Sequence, residues 1–196
     1  MQTRVLLVRH GSYALLDCGL GGREDHRLSA QGREEAEWVA ERVTGYHPAA
    51  IVSSPVRRAC ETAELIALRT GHAVQVDAAF AEIDFAAWTG KRFKDLAGDP
   101  AWHAWNNFRS TAGVPGGESM LEVQARAVAG LMRYAGRNPD GELVLVTHSD
   151  VIKAVLVHFL GMSLEMMRRI EISAGSLSEL IVYREDARVL AINTRP

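Results

Sequence analysis

Three short stretches of continuous aliphatic and β-branched residues punctuate the chain: Val5-Leu6-Leu7-Val8, Ala50-Ile51-Val52 and Leu143-Val144-Leu145-Val146. Runs of this length without polar alternation predict strands covered on both faces, as in a parallel sheet. Between them the period lengthens to that of a helix. Ala36, Val39, Ala40 and Val43 recur at i, i+3, i+4 and i+7 behind Ser29, which predicts an N-capped amphipathic helix. Ser54-Pro55 predicts a second helix start, with serine as the cap and proline at the first helical position. Ser119-Met120-Leu121-Glu122 has capping-box spacing and opens a stripe of Val123, Ala127, Leu131 and Tyr134. A mostly apolar, buried helix is expected from Ser149 to Leu160, stopping at Gly161. Leu177–Tyr183 and Arg188–Asn193 read as a hairpin over Glu185-Asp186. The pattern predicts an α/β fold in which helices cover a mainly parallel sheet.

One stretch does not fit that alternation. Residues 87–115 hold Trp88, Trp102 and Trp105 together with Phe93, Phe108, Lys91, Arg92, Lys94 and Arg109, and end in the hinge-like Gly113-Val114-Pro115-Gly116-Gly117. They predict a short helical insertion over the sheet edge, serving either as a substrate lid or as a satellite hydrophobic cluster. No repeat, low-complexity tract or linker divides the chain, so residues 1–196 are expected to form a single domain. Gly19-Leu20-Gly21-Gly22 lacks the third glycine of a dinucleotide fingerprint and is expected to be a mobile loop.

Composition narrows the function classes. In 196 residues, 22 Lys+Arg face 24 Asp+Glu, a formal charge of −2, and 47% of residues are hydrophobic. A chain so balanced has no broad basic surface for nucleic acid or an anionic membrane, so any anion must be held in a local pocket. The apolar start stops at Arg9-His10, too short for a signal-peptide core, and no segment is long enough for a membrane span. Cys18 and Cys60 fit neither a disulfide framework nor a metal knuckle, which favours reduced thiols in a cytoplasmic protein. His26, His47, His72, His103 and His158 show no paired ligand spacing, so no metal and no cofactor are expected. Dimerisation through an edge strand is left open by the sequence.

The polar residues that follow the predicted strands carry the chemistry. In open α/β sheets ligands bind beyond the carboxyl ends of the strands. Those ends bear Arg9-His10-Gly11, Ser53-Ser54-Pro55-Val56-Arg57-Arg58 and Thr147-His148-Ser149-Asp150. Parallel neighbours would bring two histidines and at least two arginines to one edge. Arg57 and Arg58 fall in the first turn of a predicted helix, where the macrodipole disfavours each cation by ~0.3–1 kcal/mol. An anion sharing that helix N-terminus reverses the sign. Arg57 is expected to be solvated and Arg58 to turn inward. Arginine binds phosphate bidentately, and a neutral imidazole is a competent nucleophile toward phosphorus. The missing part is an acid, for which Glu82, set between apolar residues in Ala81-Glu82-Ile83-Asp84-Phe85, is the candidate. A Ser-His-Asp hydrolase assembled from Ser53 or Ser119 with His148 and Asp150 lacks a Gly-x-Ser-x-Gly elbow.

Taken in order, these residues resemble the histidine phosphatase (phosphoglycerate mutase-like) superfamily. Leu7-Val8-Arg9-His10-Gly11 is similar to its Arg-His-Gly signature, and Ser53 through Ala63 to its second motif. Gly22-Arg23 with Leu28-Ser29-Ala30-Gln31-Gly32 matches the spacer. Glu82 through Gly90, Gly117-Glu118-Ser119 and Val144-Leu145-Val146-Thr147-His148 complete the sequence of motifs. The resemblance implies a three-layer α/β/α sandwich and a metal-independent phosphomonoesterase acting on a small phosphorylated metabolite. It implies that His10 is phosphorylated, that Arg9, Arg58 and His148 hold the phosphoryl oxygens, and that Glu82 donates the proton. The compact chain looks most like small phosphatases such as α-ribazole phosphatase; a phosphoglycerate-type mutase and a non-enzymatic phospho-ligand binder are the alternatives. The chain departs from the family at Ser12-Tyr13, where Glu-Thr or Glu-Ser is common. It departs also at Leu16, where Asn is common, and at Ser149-Asp150, in place of small residues.

Overall fold

A computed structural model describes residues 2–184 and 186–195. Six strands form one sheet: β1 (Thr3–Arg9), β2 (Pro48–Ser53), β3 (Val74–Val76), β4 (Glu142–Thr147), β5 (Leu177–Val182) and β6 (Ala187–Thr194), in the order β3-β2-β4-β1-β5-β6. β1, β2, β3 and β4 run parallel; β5 and β6 are antiparallel to their neighbours. The three aliphatic runs are β1, β2 and β4, side by side at the centre, where both faces are covered. The hairpin is β5-β6, with the tip residue Glu185 outside the described residues. The three-residue β3 has no sequence signal, because it is short and lies exposed on the sheet edge.

Alternating side chains of the central strands feed two separate cores. Leu6, Val8, Ile51, Val144 and Val146 meet helices α1 (Ala30–Val43) and α2 (Arg57–Thr70) on one face. Val5, Leu7, Val52, Leu143 and Leu145 meet α5 (Met120–Arg137) and α6 (Ser149–Phe159) on the other. Together they make the three-layer sandwich. α1 buries the predicted stripe and is capped by Ser29, whose hydroxyl accepts from Gly32 N–H. α5 opens on a complete Ser119–Glu122 capping box. α6 ends with Gly161 at φ +64°, a left-handed stop suited to glycine. The start of α2 differs from expectation: its cap is Val56, and Ser54 is drawn away into the polar cluster described below.

Residues 87–115 contain α3 (Phe93–Leu96) and α4 (Pro100–Asn107). Trp88 and Trp105 are 4% and 1% exposed and belong to the same buried cluster as α5 and α6 rather than to a satellite one. Trp102 stacks on Trp105 at 5.4 Å and meets Trp88 edge-on at 5.4 Å. The glycine-rich loop after residue 18 is also tied down. Leu20 is buried, its N–H donates to Lys91 O, and its carbonyl accepts from Gly90 N–H. None of the described helices is long and apolar enough to cross a membrane.

Candidate active site

Parallel pairing places Arg9 opposite Thr147 and Ser53 opposite Val146, so the carboxyl ends of β1, β2 and β4 lie side by side. His10 N–H donates to Thr147 O, which fixes the turn after β1 to the end of β4. Gly11 follows because α1 passes so close that a Cβ there would lie 2.1 Å from Gly32 O. Gly11 N–H donates to Thr62 Oγ1, and that hydroxyl donates to Arg58 O, linking the turn to the first turns of α2.

Glu82 arrives from a different direction. Thr147 Oγ1 donates to Phe80 O, which fastens the segment after β3 to the sheet. The Glu82 carbonyl accepts from both Arg23 and Arg126. Both arginines also bind the Glu118 carboxylate, at 2.8 and 3.0 Å, and Asp84 N–H donates to it. Gly117 allows this approach: a Cβ there would meet Asp84 O at 2.2 Å. The Gly117-Glu118 motif therefore positions the acidic segment from behind.

Five predicted residues converge on one buried polar cluster. Arg58, fully buried, donates through Nε to His10 Nε2 at 3.1 Å and through Nη2 to Gly22 O at 2.7 Å. Nη2 also lies 3.3 Å from His148 Nδ1 and 3.7 Å from Glu82 Oε2. His10 donates from Nδ1 to Gly11 O at 2.7 Å, which leaves the lone pair on Nε2. The imidazoles of His10 and His148 meet edge-on, 5.0 Å apart. Glu82 Oε2 is 3.5 Å from His148 Nδ1. Arg9 donates to Ile172 O, while its Nε, like Nη1 of Arg58, is a buried donor without a partner among the described residues. Orphaned donors on two guanidiniums beside a cleft suit an oxyanion. Arg57, by contrast, turns outward to Glu61 and Asp25.

Burial dominates the electrostatics. It holds both histidines well below their ordinary pKa, with Arg58 pushing the same way, so both are neutral near pH 7. Burial also raises the Glu82 carboxyl to about 7; Arg58 opposes the rise and Asp150 adds to it. A carboxyl at that value can give a proton and take one back near neutrality.

Three contributors were not singled out from sequence. Tyr13 lies against Arg58, whose guanidinium carbon is 4.6 Å from the ring centroid, and His26 stacks on the same ring at 5.5 Å. Thr62 bridges His10's turn to Arg58. Ser54 sits 2.8 Å from His148 Nε2 and accepts from Val56 N–H, so its hydroxyl can donate to Nε2 and keep the histidine hydrogen on Nδ1, facing the cluster. Strand-end position alone marked Ser54; its competing role as a cap hid this one. Ser54, His148 and Glu82 form a triad-like line, but no Gly-x-Ser-x-Gly elbow presents the buried Ser54 hydroxyl as a nucleophile. Ser119 is occupied as the α5 cap. The cleft itself, about 130 Å³, is lined by Arg9, His10, Tyr13, Glu82 and Asp150, with Leu16 among its apolar positions.

The family model of the histidine phosphatase superfamily (branch 1) matches residues 5–195. The chain belongs to this superfamily. Within it, the chain is 34% identical over 166 residues to a glucosyl-3-phosphoglycerate phosphatase of Mycobacterium tuberculosis, an alignment spanning 78% of this chain and 73% of that one. It is 28% identical over 187 residues to a probable phosphoglycerate mutase of Salmonella paratyphi C, spanning 93% and 86%. A putative α-ribazole-5'-P phosphatase from Escherichia coli superposes with a TM-score of 0.88 over 98% of this chain and 97% of its own, at 23% identity, a likeness of fold. The sequence relatives thus include a phosphatase and a probable mutase, both named for phosphoglycerate compounds.

Proposed function

We propose that this chain is a phosphomonoesterase that passes the phosphoryl group of a small phosphorylated metabolite through His10. The observation that carries this reading is the buried, neutral His10, its Nδ1 hydrogen committed to Gly11 O and its Nε2 lone pair facing Arg58. Nε2 attacks phosphorus, the phosphorus–ester oxygen bond breaks, and the leaving oxygen takes the proton of Glu82. The Glu82 carboxylate then takes a proton from water as that water attacks the phosphohistidine. The P–N bond breaks, and phosphate leaves with His10 neutral and Glu82 protonated again.

Arg58 and Arg9 offset the charge of the transferring group, using the donors that the protein leaves unanswered. His148 adds a neutral donor from Nδ1. With two guanidiniums on the phosphoryl group and a carboxyl for the proton, the reaction needs no metal. Phe93, at the start of α3, lines the cleft, which supports a covering role for residues 87–115 over the leaving group. The free thiols Cys18 and Cys60 favour a reducing, cytoplasmic setting. Hydrolysis is preferred to phosphoryl transfer within a substrate because the 34% identical relative is named a phosphatase; the 28% identical mutase-named relative keeps transfer as the second reading.

The test is turnover of an aryl phosphate in EDTA. His10→Ala should lose at least ~10³-fold in kcat, and an acid-labile phosphoenzyme should be trapped in the wild type and absent from the variant. Unchanged turnover in the variant would sink the nucleophile assignment; loss of wild-type activity in EDTA would sink metal independence.

A further inference from the structure

We propose that Asp150 makes the site select phosphomonoesters whose alcohol is uncharged or carries an ammonium group, and reject those with a carboxylate near the ester oxygen. The proposal rests on the phosphomonoesterase reading and goes further, to the class of leaving group.

Ser149 and Asp150 are the first two residues of α6 and both line the cleft. A helix N-terminus ordinarily offers an anion its amide groups; here a side-chain carboxylate occupies that end. Asp150 is held from behind by Arg109, whose Nη1 lies 3.4 Å from Oδ2. Arg109 is itself buried, sits over Trp105 with its guanidinium carbon 3.4 Å from the ring centroid, and donates to Asn106 Oδ1. It is not among the cleft-lining residues, whereas Asp150 is, with its side chain 26% exposed. Asp150 therefore borders the cleft with part of its side chain exposed, while its counter-ion stays in the wall.

The rest of the lining supplies no second cation for a substrate carboxylate. Arg9 is the one lysine or arginine among the described lining residues, and it already serves Ile172 O and the phosphoryl position. Arg23, on the outer side of Glu82, is committed to Glu118 and Asp84. The remaining walls are largely apolar: Leu16, Leu20, Phe85 and Phe93. Asp150 and Glu82 line the same cleft, and the Asp150 charge adds to the rise of the Glu82 carboxyl. A substrate carboxylate there would meet the Asp150 carboxylate, which Arg109 offsets only from the wall side, with no cation of the lining left to receive it. A hydroxyl could bond to Ser149 or Asp150, and an ammonium group would pair with Asp150.

The experiment compares two esters that differ only in that group, glycerol 1-phosphate and 3-phosphoglycerate, on the full chain at one pH. Their ratio of kcat/KM cancels any change in Glu82 ionisation. The wild type should favour glycerol 1-phosphate by about tenfold or more. Asp150→Asn should shrink that ratio by about tenfold, and Asp150→Glu should restore it. A wild type that hydrolyses 3-phosphoglycerate as fast as glycerol 1-phosphate overturns the proposal even if no variant folds. So does a ratio that Asp150→Asn leaves unmoved. If neither ester nor an aryl phosphate is hydrolysed, the phosphomonoesterase reading itself fails, and this proposal with it.

Discussion

Arg58 and Arg109 are assembled from matching parts. Each is almost fully buried, each rests on an aromatic ring (Tyr13 at 4.6 Å, Trp105 at 3.4 Å), and each has a carboxylate beside it (Glu82 at 3.7 Å, Asp150 at 3.4 Å). Burial lowers the pKa of both guanidiniums. The surroundings separate them. Arg58 is ringed by two neutral histidines and a carboxyl raised to about 7, so its charge is only partly answered near neutrality. Each guanidinium keeps one buried donor unpartnered among the described residues, Nη1 of Arg58 and Nε of Arg109, so it is the counter-ion that differs. Arg109 answers Asp150 and Asn106 from within a wall of tryptophan. A buried cation with a half-protonated counter-ion is available to an anion; one with a steady partner is a brace.

The widest separation should appear when each arginine is replaced by an uncharged chain of similar length. Arg58→Met should cost ~10²–10⁴ in kcat/KM on an aryl phosphate, raising KM and lowering kcat together, because the phosphoryl group is held in ground and transition states alike. Arg109→Met should cost less than about tenfold in kcat/KM, because Arg109 does not line the cleft, although it should also lower stability, since removing one partner leaves the Asp150 carboxylate unpaired. Steady-state kinetics of the two purified variants decides it; equal losses would erase the distinction.

The carboxylates divide along the same line. Glu82→Gln should slow hydrolysis of an alkyl phosphate by about 100-fold, and that of an aryl phosphate by less than tenfold, because only the poor leaving group needs the proton. Similar losses on both substrates would remove Glu82 from proton transfer and make its pair with Arg58 merely structural.

The unequal legibility of these two regions in the sequence has a physical cause. β1, β2 and β4 announce themselves because strands covered on both faces carry no polar residues, and strand-end position alone then brings Arg9, His10, Arg58 and His148 together. Glu82 needed its apolar neighbours and the motif order, since it sits in a loop held by Arg23, Arg126 and Glu118, contacts between residues far apart in the chain. In the sequence Ser54 reads as a helix cap and Tyr13 only as a departure from the family pattern, because their roles depend on three-dimensional neighbours: His148 arrives from β4, and Arg58 from α2. The three-residue β3 has too little burial to mark a period. The tryptophans were plain in number, but only packing shows that Trp88 and Trp105 enter the main core.

The smallest effect is in stability, and it checks the premise on which Arg58 and Arg109 were distinguished. A carboxyl raised from 4.5 to about 7 keeps its proton in the folded state where the unfolded chain has released it. Stability therefore falls as pH rises from about 4.5 to 7 and is level above that. At 1.36 kcal/mol per pH unit the bound is about 3 kcal/mol, reduced to roughly 2 by partial solvent access. Glu82→Gln removes this titration, so its stability relative to wild type should climb by about that amount between pH 4.5 and 7. His10 and His148 act in the opposite sense: their lowered values cost stability as pH falls below 6.5, but they do so in both proteins and cancel in the difference. Denaturant unfolding of the pair across that range measures it. A difference that does not change with pH would mean the Glu82 carboxyl ionises like any surface glutamate, and Arg58 would then be as fully answered as Arg109.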